Sequence, residues 1–172
     1  HNRVRRQRQM CIRDRKKYPV CYASHASADA VKEIMDAEGL SASDVVTVNC
    51  TVPPVVTSNL TYPNPQTATE AQFSLHFAIA AIIEYGDIKL EHLTTEMVSS
   101  APIKRLLPKI DVKVGDIPEP YRSSRLICPE WGYVELTTQA GDRKCSFVGS
   151  PLGSSLRPMP DEVLKKKFNA CA

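Results

Sequence analysis

The sequence predicts an α+β domain in which a mostly antiparallel sheet packs against helices. Three observations point there. The β-branched run Val45-Val46-Thr47-Val48-Asn49-Cys50-Thr51-Val52 reads as a strand that stops at Pro53-Pro54. Two alternating segments, 132–137 and 143–148, flank Ala140-Gly141-Asp142 as a hairpin. Helical patterns precede and separate these strands, the order expected of helices layered on an antiparallel sheet.

The remaining elements follow along the chain. A helix is predicted over 23–38, with Ala23, Ser27, Ala30, Val31, Ile34 and Met35 on one side and Gly39 as its C′ residue. Residues 57–66, rich in Pro, Asn and Thr, read as a loop. One long helix is expected over 67–85, opened by a Thr67/Glu70 capping box and ended by Gly86. Its stripe holds Phe73, Phe77, Ala80, Ala81 and Ile83. Two short helices are expected around 91–99 and 102–107, a strand over 109–114, and a short strand or loop at 126–128. A last helix spans 161–172, with Val163, Leu164 and Phe168 apolar. The 67–85 and 161–172 helices both hold more apolar surface than a small sheet covers, so each is expected to expose an apolar face.

At 172 residues and 42% hydrophobic content the chain has enough apolar mass for one globular domain. Residues 1–15 stand apart, with six arginines and almost nothing apolar. Met10-Cys11-Ile12-Arg13-Asp14-Arg15 resembles a translated sequencing adapter, so this stretch is read as an assembly scar outside the fold. The charge follows the same division. Residues 1–17 hold eight Lys/Arg against one Asp, whereas the rest holds fourteen Lys/Arg against eighteen Asp/Glu. The formal +3 is owed to the tail, and the mildly acidic remainder argues against nucleic acid as a partner. A start at His1 without an initiator methionine reads as a fragment.

No apolar run approaches the length of a membrane helix and no signal peptide is visible, so no membrane partner and a bacterial cytoplasmic location are expected. The six cysteines (11, 21, 50, 128, 145, 171) contain no C-x-x-C pair, which favours reduced thiols over disulfides or a zinc site. No glycine-rich phosphate loop appears, and neither cofactor nor metal is expected.

Chemistry concentrates in Lys16-Lys17-Tyr18-Pro19-Val20-Cys21-Tyr22-Ala23-Ser24-His25. Pro19 restricts Tyr18 to extended geometry, and a helix follows whose free N–H groups and dipole face what precedes it. Two lysines, a thiol and an imidazole at such a terminus form a seat for a small carboxylate. The plainer reading of Cys21 and His25 is packing. His76, inside the long apolar helix, reads as a core histidine; His92 and Lys165-Lys166-Lys167 read as solvated faces; Trp131 reads as a core or interface anchor.

The pattern K-x-Y-P-x-C-x-x-x-H-x-x-x-D-A, set by Lys16 to Ala30, is similar to the segment that opens the smaller domain of the MmgE/PrpD family. Asn64-Pro65-Gln66-Thr67-Ala68-Thr69-Glu70-Ala71-Gln72-Phe73-Ser74 resembles the family's N-P-x-T-x-x-E-A-x-F-S stretch. Gly149-Ser150-Pro151, Pro158-Met159-Pro160 and Lys167-Phe168 resemble its closing G-x-P, N-P and K-F pattern, with Arg157 in place of the usual asparagine.

That resemblance implies a lyase acting on a small tri- or dicarboxylate, 2-methylcitrate dehydratase-like, with cis-aconitate decarboxylase or a polycarboxylate isomerase as the alternative within the family. A non-catalytic carboxylate-binding domain is the alternative of another class. It implies residues 16–158 as the smaller domain, 159–172 as the start of a segment returning to a missing N-terminal helical domain, and a homodimer when intact. Residue by residue, Lys16 matches an active-site lysine of the family, and Cys21 stands where the decarboxylases have a catalytic histidine. His25 matches a histidine common in the motif and is the candidate for proton transfer. Lys17, Asn59 and Tyr62 are the candidate substrate-binding residues; Tyr62 is close to where some members place a tyrosine over the substrate.

Overall fold

The computed structural model describes residues 15–124 and 127–171. Strands β1 (Val45–Val52), β2 (Ile110–Val114), β3 (Gly132–Thr138) and β4 (Arg143–Val148) form one sheet in the order β2-β1-β3-β4. The hairpin β3-β4 and the β1-β3 pair are antiparallel, while β1 and β2 run parallel. The fold is α+β and its sheet mostly antiparallel, as predicted. The parallel pair arises because a helical crossover, not a tight turn, joins β1 to β2.

The helices are α1 (His25–Glu38), α2 (Pro54–Asn59), α3 (Ala68–Gln72), α4 (Leu75–Tyr85), α5 (Thr95–Val98), α6 (Ala101–Leu106) and α7 (Asp161–Cys171). Strand periodicity decides the layering. Val48 sits between Ile110 of β2 and Leu136 of β3, and Cys50 opposes Val134. All five side chains are buried on the face that meets the helices, while Thr47, Asn49 and Thr51 point to the other face. Helix α1 lies against β3, β4 and α4, and α4 packs on α1, α6 and β2.

Close approach of α1 to the sheet depends on Gly132. A Cβ there would stand 2.4 Å from Ser27 Oγ, 2.8 Å from its N and 2.9 Å from its Cα. Ser27 is small enough to sit on β3, and its Oγ accepts from Cys50 Sγ at 3.3 Å. At the rim, Lys144 of β4 pairs with Glu38 of α1 at 2.8 Å.

Several expectations are corrected. The long helix breaks into α3 and α4 at Phe73-Ser74, where both residues leave helical geometry. Ser74 accepts from the Phe77 N–H at 3.0 Å and so caps α4. The capping box is shifted: Thr67 accepts from the Glu70 N–H, but Glu70 accepts from Gln66. Apolar all round, α4 is buried from Leu75 to Ile83 except for His76, so it exposes no apolar face; of the expected apolar stripe, Phe73, which lies outside α4, is exposed. In α7, Phe168 is 73% exposed.

The stretch 54–59 is helical, with Pro54 at the first position, so the loop starts at Leu60. In 90–107 the chain makes a 3-10 turn, Leu90–His92, before α5 and α6. Arg15, read with the tail, is already part of the fold: its N–H donates to the Gly153 carbonyl at 2.7 Å. The rest of the tail lies outside the described residues. So do Leu126 of the expected 126–128 element and the side chains of Lys166 and Lys167. Among the described residues no helix is long and apolar enough to cross a membrane, and Cys21, Cys50, Cys128 and Cys145 are free thiols.

Candidate functional site

The Lys16–His25 segment runs into α1 through a 3-10 turn, Tyr22–Ser24, with Cys21 at its N-cap. The Cys21 carbonyl accepts from the Ser24 N–H at 3.1 Å and from its Oγ at 2.8 Å. On the other side, the Cys21 N–H donates to the Gln72 carbonyl at 2.8 Å. Gln72 is the last residue of α3, where carbonyls no longer find partners within the helix. The break between α3 and α4 therefore supplies the acceptor that pins Cys21. Its backbone is fixed at both ends, and its side chain is half-buried.

His25 occupies the first position of α1 and is 0% exposed. Its ring lies 5.1 Å from that of Tyr18, edge-on, and 5.1 Å from that of Tyr22. A proton-transfer group must reach the reacting atoms, and this imidazole is enclosed by two aromatic rings within the domain. Within this domain the His25 ring therefore packs between Tyr18 and Tyr22, and proton transfer by it stays an expectation for the intact enzyme.

A residue outside the predicted site organises this segment. Asp29, one turn on in α1, is 4% exposed. Its Oδ1 accepts from Lys17 Nζ at 2.9 Å and from the Tyr18 hydroxyl at 2.8 Å, and its Oδ2 from the Leu152 N–H at 2.8 Å. A buried carboxylate is tolerated only with such donors. Lys17 also lies over the Tyr18 ring, 4.6 Å from its centroid. Burial, then the Asp29 charge, pushes the Tyr18 hydroxyl far above its ordinary pKa, so it remains a donor. Lys17, predicted to bind substrate, is thus engaged within the fold, while Lys16 is exposed.

The Gly149-Ser150-Pro151 motif leads into the Leu152 N–H on Asp29. Arg157, the departure from the resembling pattern, reaches Glu33 of α1 at 3.1 Å. Asn59 is the exposed last residue of α2, which packs against the Tyr22–Ser24 turn. Tyr62 is 42% exposed on the loop that follows.

Two clefts adjoin that loop, with cavity volumes of about 370 and 550 Å³. They share Pro63 and His76, and neither is lined by Lys16, Cys21 or His25. His76 is therefore a half-buried wall residue rather than a core histidine, and burial lowers its pKa against a smaller opposing pull from Asp111. His92, expected on a solvated face, is buried: its ring lies 4.4 Å from that of Tyr85, and its Nδ1 accepts from the Lys89 N–H. Trp131 is buried near Phe147. No group of three or more His, Cys, Asp or Glu able to hold a metal forms among the described residues.

The MmgE/PrpD C-terminal domain matches residues 18–172. The chain belongs to the MmgE/PrpD family. The matched span contains Cys21, His25, Asp29, Asn59 and Tyr62 and begins just after Lys16 and Lys17. MmgE/PrpD proteins are generally enzymes of dehydratase type. No curated protein matches the chain at a significant level.

Proposed function

We propose that this MmgE/PrpD domain is the smaller domain of a cofactor-independent lyase that removes water from a small polycarboxylate of the 2-methylcitrate type. Such an elimination needs a base for a proton beside a carboxylate, an acid for the departing hydroxide, and cations that hold the carboxylates. Charge accumulates beside the carbon that loses its proton, so fixed cations and oriented N–H groups act on the developing charge. In this reading exposed Lys16 takes a substrate carboxylate, Cys21 lines the reacting side, and Asn59 and Tyr62 reach the substrate from the α2 loop. His25 sets the position of the turn from beneath.

The observation that supports the reading is the pinned turn. Cys21 is held through both its N–H and its carbonyl, in the segment that carries exposed Lys16. A polar segment so fixed suits one wall of a cleft that a helical domain closes. That domain would supply the acid and base groups. The intact enzyme is proposed to be a cytoplasmic homodimer. Cys21 in the place of a decarboxylase histidine favours dehydration over loss of carbon dioxide.

The test is turnover by the intact parent enzyme of 2-methylcitrate, citrate and cis-aconitate. Formation of the unsaturated tricarboxylate from 2-methylcitrate without carbon dioxide is expected. Release of carbon dioxide from cis-aconitate would replace dehydratase with decarboxylase. Calorimetric binding of these acids without turnover would make the domain a carboxylate-binding module.

A further inference from the structure

We propose that Asp29 is the positioning residue of the Lys16 segment, clasping it to the loop after the Gly149-Ser150-Pro151 motif. This rests on the reading of Lys16 as the carboxylate-binding cation. Asp29 receives three donors from two separate parts of the chain, Lys17 and Tyr18 on one side and the Leu152 N–H on the other. The carboxylate is nearly without solvent, so its charge is neutralised by donors that are themselves fixed. Arg15, immediately before Lys16, is bonded to the same loop through the Gly153 carbonyl. The path of that backbone is tight: a Cβ on Gly153, at φ +97°, would lie 2.0 Å from the Arg15 carbonyl oxygen. Lys16 is therefore bracketed, with Arg15 held by Gly153 on one side and Lys17 and Tyr18 held by Asp29 on the other. Its side chain points from a backbone with little freedom, which is what a cation needs to meet a carboxylate without an ordering cost.

Asp29 does not touch the proposed substrate, so its effect must pass through Lys16. Two measurements separate this from a merely structural carboxylate. The first is trypsin cleavage of this chain at the Lys17–Tyr18 bond, read by mass. Asp29→Asn keeps the side-chain shape and an acceptor but loses the charge that holds Lys17. Cleavage about tenfold faster or more is expected, following the larger open population of the segment; an unchanged rate overturns the proposal. The second is a double-mutant cycle in the intact parent enzyme, with Lys16→Ala and Asp29→Asn. If Asp29 acts by placing Lys16, Asp29→Asn lowers kcat/KM about tenfold in the wild-type background and has no further effect once Lys16 is alanine. Thermal stability falls equally in both backgrounds. Additive losses in kcat/KM would overturn positioning. Absence of turnover in the wild-type enzyme would sink the lyase reading, and the cleavage rate would still decide whether Asp29 clasps the segment.

Discussion

Replacing His25 with Asn separates packing from proton transfer. The imidazole is wholly buried between Tyr18 and Tyr22, so the shorter amide leaves part of the ring's volume empty and two aromatic faces without a neighbour. Deleting a large buried ring outright costs about 3–5 kcal/mol in cores. Asn retains some of the volume, and a loss of about 2–3 kcal/mol follows. For a chain of this size that corresponds to a fall in Tm of roughly 4–12 °C. The assay is thermal unfolding of this chain together with kcat of the intact parent enzyme, measured well below the lowered Tm. The expected result is reduced stability with kcat within about threefold of wild type. A variant of unchanged Tm whose kcat falls by about 10²–10⁴ would show that His25 transfers protons after all, and that its enclosure opens in the complete active site.

Two further outcomes are expected. Gly132→Ala places a methyl group against the backbone of Ser27, which cannot turn aside, so α1 must shift from β3 at a cost of about 1–3 kcal/mol in denaturant unfolding; an unchanged midpoint would refute the close approach. His76 is held neutral by burial, with a native pKa below its usual 6.5. Its stabilisation is full above 6.5 and is lost as pH falls through the native value, because the unfolded chain takes up the proton first. His76→Gln should therefore narrow the difference in Tm between pH 7 and pH 5, and an identical difference in both proteins would count against it.

Local chemistry explains what was legible in the sequence. Strand β1 is a β-branched run ended by two prolines, and the β3-β4 hairpin alternates around a glycine turn at Gly141, φ +85°. Both are signals of neighbouring residues. The break at Ser74 was also available, because a serine before a fully apolar helix is a cap, but the continuous apolar stripe concealed it. Asp29 was harder to read. Lys17 is 12 residues away and the Leu152 N–H 123, so neither partner could be matched from spacing. The available signal was an acid set in a buried stretch from Ala23 to Val31, which demands donors without naming them. His92 had no periodic signal, and only the turn 90–92 folds it onto Tyr85. Lys16, Cys21, Asn59 and Tyr62 came from motif position, and the fold adds what motif position could not: that Lys17 is half-buried on Asp29.

That difference between neighbours gives the sharpest test of the site. Lys17 and Lys16 have the same chemistry and consecutive positions, yet Lys17 has a side chain only 18% exposed, paired with Asp29, while Lys16 faces solvent. Methionine in place of either keeps much of the apolar stem and removes the charge. Lys17→Met leaves Asp29 with only the Tyr18 hydroxyl and the Leu152 N–H, at a cost of about 1–3 kcal/mol in stability. By loosening the segment it also lowers kcat/KM in the intact parent enzyme. Lys16→Met removes a charge from an exposed side chain, where a pairing is worth about 0–1 kcal/mol, so the stability loss stays below about 1 kcal/mol. Its loss appears in kcat/KM alone, about tenfold to a hundredfold, the worth of a charge-assisted contact to a carboxylate. Thermal unfolding and steady-state kinetics on the two variants resolve the pair. If Lys16→Met destabilises the domain and Lys17→Met does not, the assignment of the two lysines is reversed. If Lys16→Met changes neither quantity, the cation that meets the substrate lies elsewhere, and the pinned turn at Cys21 is an element of the fold alone.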